Sequence, residues 1–217
     1  MAFDELITPI DLERWPRRSH YEFFRDFDQP FFDVSSRVDL TPLVQSDARD
    51  EFGLFATMIH TALRAANATE ALRLRFRGDQ VYRIEQNQAS FTVLGDNDLF
   101  NYATALFDAD LSTFSDRIRK ASADSRSRQQ LYLEDDRRPD LVYITCLPWL
   151  DFQSIRHPMP GDPDDCAPRI AWGKIGPNAD GRFEASLQLT VHHALADGVH
   201  AATFFREFEQ RVDAFNP

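Results

Sequence analysis

The alternation of apolar and polar positions is clearest in the last third of the chain. In "RFEASLQLTVHH", Phe183, Ala185, Leu187, Leu189 and Val191 alternate with Glu184, Ser186, Gln188 and Thr190. A period of two over that length predicts a half-buried strand, entered through the turn "NADG". In "DGVHAATFFREFEQRV" the period becomes helical, with Ala201, Phe205, Phe208 and Val212 on one stripe. Upstream, "SHYEFFRDF" predicts a helix capped by Ser19, and "PFFDVSSRVDL" a strand behind Pro30. "LFATMIHTALRAAN" reads as a central helix, with Phe55, Met58, Ile59, Ala62 and Leu63 on one face. Short strands follow at "LRLRF", "QVYRI" and "SFTVL", then a polar helix at "DLSTFSDRIRKASADSRSRQ". "RRPDLVYITCLPW" holds a strand stopped at Pro148, "RHPMPGDPDDCAPR" is a loop, and "RIAWGK" is extended again. No internal repeat or linker divides the pattern, so residues 1–217 read as one domain.

Composition narrows the function. The 217 residues are 43% hydrophobic and 27% charged, as in ordinary globular domains. A net charge of −11 without a basic run argues against nucleic acid. No apolar run reaches membrane-spanning length, and "MAFDELITPIDLERW" lacks the apolar core of a secretory signal. Two cysteines, Cys146 and Cys166, do not make a disulfide framework. The expectation is a cytoplasmic protein. Nineteen phenylalanines favour an aromatic pocket for a flat ligand.

Half of the six histidines fall within nine residues, in "VHHALADGVH", where the last strand gives way to the last helix. Three readings are open. Asp197 caps the helix, Gly198 eases the turn and the histidines are incidental. A metal site from His192, His193, Asp197 and His200 has the right donor types, but adjacent strand residues point to opposite faces. The third is a general base. Strand parity continues the Val191 face into His193, directed inward, and puts His192 on the polar face. No serine elbow accompanies the motif, and neither cysteine has a histidine neighbour in sequence.

"VHHALADGVH" resembles the signature of the chloramphenicol acetyltransferase family, within the CoA-dependent acyltransferases. "PIDLERWPRRSHYEFFRDF", "VYITCLPWLDF" and "APRIAWGK" resemble three further segments of that family, in the same order across nearly the whole chain. The resemblance implies an α/β, more strictly α+β, two-layer sandwich: a mixed sheet with helices packed on it. It implies acetyl transfer from acetyl-CoA to a hydroxyl of chloramphenicol, without a metal, in a homotrimer with active sites at subunit interfaces. The alternatives are another small alcohol as acceptor, or a silent homologue that only binds an aromatic ligand.

Roles follow residue by residue from the same resemblance. His193 is the base, and Asp197 is a structural aspartate bound to Arg17. Thr145 stands where the family has a serine that stabilises the oxyanion, Lys174 where it has a lysine for the coenzyme, and Ala171 where a threonine lies near the acceptor. Phe23, Phe24 and Phe32 match the pocket-lining segment, and Phe100 and Tyr132 match more loosely. The chain departs from the family pattern at Phe24, Thr145, Ala171, Thr190 and Val199. A second family lysine is missing around Glu51 to Leu54, and "IRHPMPGDPDD" does not resemble the family's loop. The chemistry reads as intact and the acceptor pocket as changed.

Overall fold

The computed structural model describes residues 6–96, 98–128, 130–131 and 138–215. In chain order the elements are β1 (Ile7–Pro9), α1 (Arg18–Phe24), β2 (Phe31–Asp39), α2 (Thr41–Gln45), α3 (Leu54–Ala68), β3 (Leu74–Arg77), β4 (Gln80–Ile84) and β5 (Gln88–Leu94). Then come β6 (Phe100–Ala105), α4 (Leu111–Arg126), β7 (Leu141–Cys146), β8 (Arg169–Trp172), β9 (Gly176–Pro177), β10 (Phe183–His192) and α5 (Gly198–Asp213). The large sheet has the order β2-β10-β8-β7-β5-β6, with β9 beside β10. The pairs β5–β7 and β7–β8 are parallel and the others antiparallel, so the sheet is mixed. A small antiparallel sheet has the order β1-β4-β3.

The main core lies between the large sheet and α3, α4 and α5. α3 is rich in alanine and leucine, carries no proline, and is buried on nearly every side because it touches the sheet and both other helices. Phe204 and Phe208 of α5 and Phe91 and Ile144 of the sheet fill the same core. A second cluster joins Tyr21, Leu74, Phe76, Val81, Cys166, Ala194 and Leu195. The segment after β10 therefore sits where the two clusters meet.

Three features differ from the sequence reading. α1 begins at Arg18 rather than behind a Ser19 cap, and no side chain caps it. β6 was not anticipated, because "FNYATA" starts with an exposed ring and alternates weakly. β10 is buried on both faces rather than one. The segment after β7 folds back over its polar face: Ser186 donates to the Phe152 carbonyl, Gln188 donates to the Ile155 carbonyl, and the Ile155 amide donates to Gln188 Oε1 at 2.8 Å. That segment crosses the chain just past the end of β8, at Gly173, where an added Cβ would stand 2.6 Å from the Leu150 carbonyl oxygen. Alternation thus marked the two faces correctly, while the polar one meets a polar lid instead of water.

Candidate active site

β10 ends at His192, and the next five residues return the chain into α5. The His193 amide still donates to the Pro30 carbonyl at 2.8 Å, which keeps the turn tied to the start of β2. The His193 ring stacks on Phe24, with centroids 4.1 Å apart and planes 12° apart, and leans on Phe32 at 4.8 Å. Its Nδ1 lies 3.0 Å from the Ala196 carbonyl oxygen. A carbonyl can only accept, so Nδ1 carries the proton and Nε2 keeps its lone pair. Half-buried, with two rings holding its orientation, this imidazole is arranged to take a proton at Nε2.

Arg17 fixes the turn from outside. Its Nε donates to the Ala194 carbonyl at 3.0 Å, Nη2 to the His193 carbonyl at 2.7 Å and Nη1 to Asp197 Oδ2 at 2.6 Å. Asp197 also caps α5, accepting from the Val199 amide at 3.2 Å, with His200 Nδ1 2.8 Å from the same oxygen. The helix-cap reading and the ion-pair reading therefore describe one residue doing both. Partial burial opposes the Asp197 charge, but the hydrogen bond from Arg17 and the charges of His200 and Arg17 outweigh it and hold the carboxyl at about 2.

The parity expectation for the two histidines needs correction. His192, expected on the polar face, is only 2% exposed, because that face is covered. Its ring meets Phe31 and Phe76 edge-on, and its Nδ1 accepts the Ala194 amide at 3.2 Å. Burial, then His193 and Arg169, push it down to about 4, so it is neutral at pH 7. The two imidazoles have separate surroundings, and the described residues contain no group of three or more His, Cys, Asp or Glu able to hold a metal.

The family model described as "Chloramphenicol acetyltransferase" matches residues 6–209. The chain belongs to the chloramphenicol acetyltransferase family. It is similar to chloramphenicol acetyltransferase 3 of Escherichia coli, 26% identical over 204 residues that cover 94% of this chain and 95% of the relative. The chloramphenicol acetyltransferase of Streptomyces acrimycini is also 26% identical, covering 93% and 92%. Among solved structures, a chloramphenicol acetyltransferase superposes with a TM-score of 0.85 at 23% identity, over 95% of this chain and all of that one. The fold is thus a family fold, and membership makes the chain an acetyl-CoA-dependent acetyltransferase.

Against that family frame, the candidate residues divide into two groups. His193, Asp197, Arg17, Phe24 and Phe32 come together at the C-terminal end of β10, and Phe23 stands exposed beside Phe24 at 4.9 Å. Thr145 does not join them. It pairs with Ala171 across β7–β8, and Ala171 pairs with Gln188 on β10. His193 lies five residues beyond Gln188, roughly 16 Å along the strand at ~3.3 Å per residue. Lys174 is exposed just past β8, its amide bonded to the Leu150 carbonyl at 2.7 Å. Phe100 is exposed on β6, at the opposite edge of the sheet from β2. Tyr132 lies outside the described residues. Two anchors had no signal in the sequence, the carbonyls of Pro30 and Ala196, because main-chain acceptors carry no residue signature.

Proposed function

We propose that the protein transfers acetyl from acetyl-CoA to a hydroxyl of chloramphenicol, in the cytoplasm, at sites shared between neighbouring subunits of a homotrimer. The observation that carries the reading is the His193 ring, oriented by Phe24 and Ala196 with Nε2 left as a base. Nε2 removes the acceptor's hydroxyl proton, and the oxygen attacks the thioester carbonyl. The Thr145 hydroxyl of the adjoining subunit donates to the oxyanion that forms. Collapse breaks the C–S bond, and the departing thiolate takes the proton back from His193. Lys174 is the residue for the coenzyme's phosphate.

The separation of Thr145 from His193 within one chain supports the shared site, since a second copy can supply the missing half. Release of free thiol from acetyl-CoA, measured with and without chloramphenicol, tests the reaction. Acceptor-dependent release with formation of the acetyl ester is the expected result, and the absence of any acceptor-dependent thiol would overturn it. One observation favours a different small alcohol beside chloramphenicol: the cavity adjoining the histidine turn is lined more by charged and hydrogen-bonding groups than by rings.

A further inference from the structure

A cavity of about 840 Å³ lies between residues 25–33 and the loop 156–165. Phe31, Phe76 and His192 form part of its wall, on the sheet face opposite the one that Val191 and Phe32 give to the main core. It adjoins the base: Pro30, whose carbonyl accepts the His193 amide, lines it, and so does Phe27, 5.2 Å from Phe24.

The wall is strongly acidic. Six aspartates line it, of which Asp165 is paired with Arg169 and Asp26 with Arg25. Asp28, Asp33, Asp162 and Asp164 have no cationic partner among the described residues. The remaining arginine of the wall, Arg156, donates instead to Gln29 at 2.6 Å. The cavity therefore carries an excess of negative charge that the described residues do not neutralise.

A second observation points to a ligand rather than to a solvated acidic surface. The His192 side chain is buried, lines this cavity, and has its Nδ1 occupied by the Ala194 amide. Its proton is consequently on Nε2, which has no partner among the described residues. His157 Nε2, also in the wall, is buried without a partner as well. One buried nitrogen left unsatisfied at a cavity wall, beside a second imidazole N–H without a partner among the described residues, is what a polar ligand would complete. Burial lowers both imidazoles below their ordinary range, so at pH 7 neither offsets the carboxylates.

We propose that this cavity receives the cationic end of a hydroxyl-bearing acceptor, and that amino alcohols are preferred over neutral alcohols. The inference rests on His193-based transfer to a hydroxyl and names its substrate class. The ammonium sits among the unpaired carboxylates while His192 Nε2–H donates to an oxygen of the ligand. The reaction is otherwise unchanged: the hydroxyl oxygen bonds to the acetyl carbon, its proton passes through His193 to the leaving thiolate, and the ammonium stays protonated. The unfamiliar loop "IRHPMPGDPDD", with its three aspartates, is then the element that sets the preference.

The test compares chloramphenicol with its deacylated amine, the same nitrophenyl propanediol carrying a free ammonium in place of the dichloroacetamide. Binding is read by calorimetry and transfer by thiol release, both on the wild-type protein at pH 7. The amine should bind at least about tenfold more tightly, and rising salt should shrink that margin. Asp28→Asn, at an exposed position, and the Asp28→Asn/Asp33→Asn pair should cut the preference ratio about tenfold while keeping the thermal midpoint. An amine preference absent in the wild type, or unmoved by salt and by both variants, would overturn the inference. Chloramphenicol turnover without amine preference sinks this inference and leaves the reaction standing. Charge-dependent amine binding with no thiol release from either compound sustains the cavity's selectivity and sinks the reaction.

Discussion

Arg17 and Asp197 stand 180 positions apart in sequence and meet at 2.6 Å, and the same guanidinium holds the carbonyls of His193 and Ala194. The arginine is 11% exposed and the aspartate 30%, so the pair lies between the buried and the surface case. Removing either partner should cost about 1–3 kcal/mol in chemical denaturation, less than for a fully buried pair. Arg17→Met and Asp197→Asn should be non-additive in the double variant. Each should also lower kcat more than it raises KM, because the loop that orients His193 loosens. Additive stability losses would show that the contact contributes nothing.

The acid limb of stability should have two segments. His192 is depressed from 6.5 to about 4 by burial, so between those values the unfolded chain binds the proton that the folded chain refuses. Stability from this group is complete above about pH 6.5 and falls as pH drops toward 4, by about 2–3 kcal/mol. Asp197 then adds a loss from about pH 4 down to about 2, where its paired carboxylate is finally protonated. His192→Asn keeps an acceptor for the Ala194 amide and removes the titration. Denaturant midpoints measured from pH 7 to pH 4.5 should flatten in that variant, and an unchanged slope would rule His192 out as the cause.

The two histidines should separate kinetically. His193→Ala should lower kcat by about 10²–10⁴-fold, as expected for a lost general base. His192→Asn should act mainly through stability and through acceptor KM, since that imidazole faces Phe31, Phe76 and the cavity. Equal kcat losses from the two would defeat the assignment of the base.

Thr145→Val keeps the shape and removes the donor, so kcat should fall roughly 10²-fold with KM little changed, while Thr145→Ser retains activity. Mixing supplies the sharper measurement. Phe24 and Phe32 contact His193 of their own chain, so the complementing partner for His193→Ala is Thr145→Val and not a variant of the aromatic segment. Each variant should be nearly inactive alone and regain activity after joint refolding from denaturant, in particles that sediment as about three chains. A fully active monomer, or mixed particles without recovery, would refute the shared site.

Much of this was readable from residue order alone. The alternation in β10, the helical stripe of α5 and the apolar run of α3 each became the element it predicted. The joining of Arg17 to Asp197 came from motif resemblance, and no periodicity contains it. What could not be read depends on tertiary partners. Strand parity put His192 on the face of Ser186 and Gln188 and so in the open, but nothing local to β10 says that this face is covered, by Phe152 to Ile155 along the strand and by Phe31 and Phe76 at His192. The distance between Thr145 and His193 is set by the strand order β10-β8-β7, which is a property of pairing and not of any one strand. β6 alternates too weakly to stand out before its neighbour β5 is known.

Among the described residues, the contacts that orient His193 come from Arg17, Phe24, Pro30, Phe32 and Ala196, and none from residues 155–165. The reacting group and the loop that closes one side of the cavity thus lie on separate pieces of chain, although the rest of the wall, from residue 25 to Asp33 and at His192, adjoins the base. A lineage can rewrite the loop by substitution, insertion or recombination and meet new alcohols while its proton-transfer apparatus stays as it was. Grafting other sequences between Ile155 and Asp165 is accordingly the natural route to new acceptors on this scaffold, with His193 left untouched as the fixed anvil.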